Sequence, residues 1–203
     1  RDRLDFYAEW MKVWGSNFNS SVGIRYGQVR SGSGTVHGYN ENNSTGGTTH
    51  NQQNNSTAFN SSNRSKNDHN FDVSLLGEYI PNKEKSYEMG YVMKTRSPNL
   101  YERYTWSTWM MAANMNNTYG DGNGYVGNVN LKPETAHTIS ASSSWYDIEK
   151  KYWSFKATPY FTYVDDYIDA VSCSEVGKSC MPRSDGFSTL SLDNQAARIY
   201  GFD

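Results

Sequence analysis

Stretches of apolar–polar alternation, each about 10 to 13 residues long and so longer than the ~5 to 6 usual in soluble sheets, recur along this chain and restrict what it can fold into. In Asn70 to Tyr79, Phe71, Val73, Leu75 and Tyr79 oppose Asn70, Asp72, Ser74 and Glu78. Tyr87, Met89, Tyr91 and Met93 alternate with Ser86, Glu88, Gly90 and Lys94, and Phe18, Val22, Ile24 and Tyr26 alternate with Asn19, Ser21, Gly23 and Arg25. Leu4, Phe6, Ala8, Trp10 and Trp14 share a face in the first segment; Trp153, Phe155, Ala157, Phe161 and Tyr163 do so later on. Two further segments, Thr135 to Tyr146 and Thr189 to Phe202, carry the pattern more weakly. A period of two means β-strands with one apolar and one polar face. Eleven residues at ~3.3 Å each, tilted by ~45°, span roughly 25 Å, the height of a bilayer's apolar band.

The connections sort by length. Tight turns are expected at Gly15-Ser16-Asn17, Pro81 to Lys85 and Asp147 to Lys151, and long polar loops from about Gln28 to His69, from Ser97 to Pro133 and from Asp165 to about Ser188. A soluble sandwich has no reason to separate short from long connections, because both of its ends face the same solvent. Outer-membrane barrels do, with short periplasmic turns and long extracellular loops. The fold class is therefore all-β, an antiparallel transmembrane β-barrel segment of about seven strands. Seven cannot close a membrane barrel, the smallest of which have eight, so an internal stretch of a larger barrel is expected, with residues 1–203 part of one barrel domain.

Composition agrees. Aromatic residues make up 15% of the chain, with sixteen Tyr and six Trp, yet mean hydropathy is −0.82. Rings with an apolar body and a polar tip suit a membrane interface. No run approaches the ~18 apolar residues of a spanning helix. A net charge of −2 and no basic stripe argue against nucleic acid as a partner.

Catalytic chemistry finds no assembled motif: no Gly-x-Ser-x-Gly elbow, no His-Glu-x-x-His, no phosphate loop. Asp165 and Asp166 read as solvation or ion bridging at a strand end. His37, His50, His69 and His137 are too irregularly spaced for zinc. Asp121-Gly122-Asn123-Gly124 resembles the opening of a calcium loop but lacks the closing Glu, and a tight turn is the better reading. Met110, Met111 and Met115 would suit Cu(I) through their thioethers, while adaptable packing against Trp106 and Trp109 competes as an explanation. Cys173 and Cys180 are either free thiols or the staple of an outward-facing loop. The Asn- and Ser-rich insertion Gly32 to His69 reads as a mobile surface loop.

Met93-Lys94-Thr95-Arg96-Ser97-Pro98-Asn99-Leu100-Tyr101-Glu102-Arg103-Tyr104, followed by Asn130-Leu131-Lys132-Pro133-Glu134-Thr135 and by Ala196 to Phe202, resembles segments of TonB-dependent outer-membrane receptors. Asn99 to Ser107, the Met-containing loop, Gly120 to Asn128 and Val164 to Ala170 with the following cysteine pair are similar to the copper-receptor branch. The resemblance implies a 22-stranded barrel, a plug domain outside this chain, and a TonB box, also outside it, pulled by a TonB-type energy-transducing protein. It implies residence in the outer membrane of a Gram-negative bacterium, in contact with lipid and lipopolysaccharide. The function it implies is energy-coupled import, with copper as the transported ligand and no resident cofactor. A ferric-siderophore receptor of the same fold is the alternative; an outer-membrane enzyme and a secreted sandwich adhesin stand behind it.

Overall fold

The computed structural model describes residues 1–38, 52–147, 149, 152–181 and 183–203. The alternating segments form β1 (Asp2–Trp14), β2 (Phe18–Gly32), β3 (Ser65–Asn82), β4 (Lys85–Arg96), β6 (Glu134–Tyr146), β7 (Ser154–Ala157), β8 (Pro159–Ser172) and β9 (Thr189–Phe202), with a short β5 (Gly124–Val126) inside a loop. Three helices, α1 (Gln52–Ser61), α2 (Leu100–Tyr104) and α3 (Met110–Met115), lie in the long connections. One open sheet holds the strands in the order β1-β2-β3-β4-β6-β8-β9-β5, with β7 against β6. β7 and β8 are one wall strand interrupted at Thr158, which still exchanges both backbone bonds with Asp203. Seven wall strands result, antiparallel throughout; only β5 pairs in parallel, with Thr189–Ser191 of β9.

Register carries the face assignment from strand to strand. Phe18 faces Tyr79 and Tyr79 faces Tyr87; Val22 faces Leu75, Leu75 faces Tyr91, Tyr91 faces Ile139, Ile139 faces Phe161 and Phe161 faces Tyr200. Directly opposed residues share a face, so the apolar sets of all seven wall strands merge into one continuous surface. Tyr91 is half-buried and the others are exposed, Leu75 by 43% and Ile139 by 52%. Such a face is tolerable where lipid covers it. At the short-turn end it carries Trp14, Phe18, Tyr79, Tyr87, Trp145 and Phe155. Nearer the long loops the Tyr26 hydroxyl meets His69 Nδ1 at 2.6 Å and the Tyr91 hydroxyl meets His137 Nδ1 at 2.9 Å. Eight residue steps separate Phe18 from Tyr26, about 20 Å of membrane at the usual tilt. The opposite face carries Asn19, Arg25, Asp72, Glu78, Glu88, Lys94 and a run of Ser140, Ser142 and Ser144.

The structure moves several expected boundaries. β2 and β3 pair beyond Gln28 and His69 as far as Gly32 and Ser65, and β8 continues past Asp165 to Ser172. In these extensions the apolar–polar alternation lapses while the backbone ladder persists. Asp165 and Asp166 sit in a bulge of β8, with Asp166 at φ 55. The first long connection is no structureless loop: α1 docks through Gln52, Ser56 and Phe59, and Asn60 brackets Val36 with bonds to its N–H and its carbonyl. His50 and most of the turn Asp147 to Lys151 lie outside the described residues.

Candidate functional site

The long loops gather at one end of the wall, and their roots are pinned by two arginines. Asn99 caps α2 by accepting from Glu102 N at 2.8 Å, and the Glu102 carboxylate accepts from Asn99 N at 2.7 Å. This reciprocal pattern is a capping box, which satisfies two helix-end donors at once. Arg96 donates to both Glu102 oxygens at 3.0 Å and to Glu134 at 2.6 Å, while the second Glu134 oxygen accepts from Ile168 N at 2.7 Å. Arg103, only 2% exposed, grips Asp68 with two bonds of 2.6 and 2.8 Å and reaches the Leu131 carbonyl at 2.9 Å. Two of the three motifs that carried the family resemblance therefore meet as a single clasp across β3, β4, β6 and β8. Gly127 completes it: its N–H donates to Thr105 O, and an added Cβ would lie 2.7–2.9 Å from Thr105, Glu102 and Tyr101.

Above the clasp, Tyr125, Leu131, Ile168 and Leu192 form a small buried cluster, edged by Ala170 and Leu190. Thr108, 6% exposed, joins all three connections: its hydroxyl accepts from Asn55 of α1, and its carbonyl accepts from Met181 N at 3.2 Å. Arg183 donates to Asn114 of α3 and to Asp185. Ser188 N donates to Asn123, and Gly124 N donates back to Ser188 O. Within the Asp121 turn the carboxylate accepts from Asn123 N and from the Tyr125 hydroxyl, and the Tyr125 bond holds the Asp121 carboxyl below the usual carboxylate range.

Cys173 and Cys180 are joined, with Cα atoms 5.9 Å apart. Inside that ring Lys178 donates to Gly127 O at 2.5 Å and Ser191 Oγ at 2.8 Å, which ties the stapled loop to the clasp. Burial pushes its ammonium down from the usual 10.5 to about 8, against a smaller opposing pull from Asp193. Above pH 10.5 neither the docked nor the released loop holds this proton. As pH falls from there towards 8 only the released loop takes it up, so docking weakens through that window and levels off below it. Hydrogen exchange of residues 173–188 is expected to slow, after correction for intrinsic rates, as pH rises from 8 towards 10.5, and this slope is expected to vanish in Lys178→Met.

The sequence-selected methionines are brought only partly together. α3 spaces Met111 and Met115 by four positions, on one helix face where Cβ atoms lie ~5–6 Å apart, and they are 53% and 85% exposed. Met110 is half-buried and turned away from that face. The structure adds Met181, whose N–H bond to Thr108 sets it beside the start of α3. Nothing in the local sequence singles out Met181, Lys178 or Thr108, since the bonds that join them to other loops all reach partners more than ten residues away. His37 is exposed in the first loop, and His69 and His137 are occupied by tyrosines on the wall. Among the described residues no three His, Cys, Asp or Glu side chains converge as a metal site.

The whole of residues 1–203 matches the family model described as TonB dependent receptor-like, beta-barrel. The chain belongs to the TonB-dependent receptor family. Members of this family are outer-membrane proteins of Gram-negative bacteria, and in such barrels short turns are periplasmic and long loops extracellular. Among solved structures it is similar to the copper transporter OprC, at 14% identity and a TM-score of 0.63, covering 98% of this chain and 24% of that one. It is also similar to the hemophore receptor HasR of Serratia marcescens, solved with its hemophore HasA and heme, at 12% identity and 0.63, covering 98% and 30%. The FrpB iron transporter from Neisseria meningitidis follows at 13% and 0.55, covering 98% and 22%. The receptor segment thus spans about a quarter of the length of these proteins, and identities this low speak to the fold alone. No curated protein is similar enough in sequence to count as a match.

Proposed function

We propose that this segment forms part of the wall and the outward rim of a receptor that imports a scarce nutrient across the outer membrane, driven by a TonB-type protein acting on a region outside this chain, with copper as the cargo. The wall is scaffold, and the loop cluster built on Arg96, Arg103 and Thr108 is the capture surface. No covalent chemistry by the chain is involved. The observation that carries the copper assignment is the paired, solvent-facing thioethers of Met111 and Met115 on a helix held by packed loops, because soft sulfur ligands select Cu(I) over hard ions. The likeness to the copper transporter OprC is one of fold, so the cargo rests on the methionines. Met110 faces away from this pair, and Met181, bonded through its N–H to Thr108 just before α3, is a further candidate ligand.

A ferric chelate is the second reading, since the same fold also serves the hemophore receptor HasR and the FrpB iron transporter. The test is equilibrium binding of Cu(I), zinc and ferric siderophores to the full-length receptor in detergent, with and without Met111→Leu and Met115→Leu. Copper affinity is expected to fall roughly tenfold or more in the double variant, a loss of at least about 1.4 kcal/mol, and Met181→Leu to add to it. Binding of a ferric chelate alone, indifferent to the methionines, would overturn the copper assignment.

A further inference from the structure

The lipid-facing wall is bulky almost everywhere, but near the short-turn end it is recessed. Gly77, Ala141, Ser143 and Ala157 form the floor of a groove of about 700 Å³, walled by Phe18, Tyr79, Tyr87, Met89 and Pro159. Register explains how a recess arises there: Ser143 faces Ala157, with Ala141 two positions along, so small residues of two paired strands adjoin, and Gly77 lies on the far side of Met89, which faces both Gly77 and Ala141. The ring of Phe18 leans over the vacant side of Gly77, with its edge 3.4 Å from where a Cβ would stand. This volume is within the ~300–1,000 Å³ of ordinary ligand clefts. A dry void of that size would forfeit dispersion contacts along its whole lining, and in a bilayer the material at hand to fill it is hydrocarbon.

Charge at the groove's mouth says which lipid. Lys85 stands on the outward face two positions from Tyr87 towards the turn, opposite Trp145. Among the described strand residues the other outward lysine at this end, Lys12, lies 3.6 Å over the ring of Trp14. Two positions from Tyr87 on the same face, Lys85 is the described strand cation next to the groove along the register, at the height where the tyrosine and tryptophan belt meets lipid headgroups. Because short turns are periplasmic in such barrels, these headgroups belong to the inner leaflet.

We propose that this groove is a binding site for one glycerophospholipid of the inner leaflet, an acyl chain lying over Gly77, Ala141 and Ala157 and the phosphate seated at Lys85. The inference rests on family membership and on the wall, not on the copper assignment, so either can fail alone. The test uses the full-length receptor in nanodiscs of equal parts phosphatidylethanolamine and phosphatidylglycerol, released into a mass spectrometer gently enough to keep bound lipid. Wild type is expected to retain one phospholipid, with phosphatidylglycerol preferred. Ala141→Phe and, separately, Ala157→Leu fill the floor from the lipid side, where bulk is tolerated, and each is expected to cut retention roughly tenfold, the factor that about 1.4 kcal/mol corresponds to. Lys85→Gln is expected to keep the lipid but lose the preference for the anionic headgroup. Equal retention in wild type and both filled variants, or an unaltered headgroup preference in Lys85→Gln, would overturn the proposal. Ala8→Phe, on the same outward face away from the groove, is expected to leave retention unchanged.

Discussion

Asp68→Ala is expected to destabilise the receptor by about 3–5 kcal/mol, because it strands the Arg103 guanidinium where water cannot reach it. Arg103 is 2% exposed and Asp68 8%, and the two bonds between them are short. A buried pair of this kind contributes little net stability relative to a well-packed apolar pair, since desolvation of both ions offsets their attraction; the damage comes from removing one member. The double replacement Asp68→Ala with Arg103→Met is accordingly expected to recover much of the loss. Denaturant unfolding of the full-length receptor in lipid vesicles, followed by Trp fluorescence, measures both. A single-variant loss under about 1 kcal/mol, the range of exposed pairs, would mean that the arginine finds water or another acceptor.

The second large effect tests the wall. Ile139→Arg places a charge on the lipid-facing side near the middle of β6 and is expected to cost about 2–4 kcal/mol. Ser140→Arg, one residue along on the opposite face, is expected to cost clearly less. Both are read in the same unfolding assay. Equal costs would mean that the two faces see similar surroundings and would sink the face assignment.

Much of the wall was legible because its physics is written locally. A strand between lipid and lumen must alternate, so Phe71, Val73, Leu75 and Tyr79 declare their face without any knowledge of their neighbours, and register only had to join the sets. The sorting of connections by length was equally local. Above the membrane that pressure ends. β2 and β3 climb four residues further than alternation implied, held by backbone bonds that no side-chain pattern records. α1 was missed for a related reason: its sequence, Gln52 to Ser61, is polar nearly all round, and its helix is fixed by distant partners such as Val36 and Thr108 rather than by an apolar stripe.

The candidate site was half legible. The Arg96 to Arg103 and Asn130 to Glu134 motifs were visible as resemblances, but their role as a clasp depends on Asp68 and Ile168, which lie on other strands. The three methionines were visible as a composition; that Met111 and Met115 share a face while Met110 does not follows from the helix, and the arrival of Met181 follows from the disulfide loop.

Thr108 gives the three connections a common knot, and this bears on how costly capture is. Loops that move separately must each surrender conformational freedom when a ligand arrives, about 0.5–1.5 kcal/mol for every side chain immobilised. Here most of that entropy is surrendered during folding, by Asn55, Met181 and Arg183 together. A small ion, which offers few contacts of its own, can then bind tightly to a rim already in order. The same knot makes opening collective: whatever loosens one connection loosens its neighbours, and the rim yields as a unit.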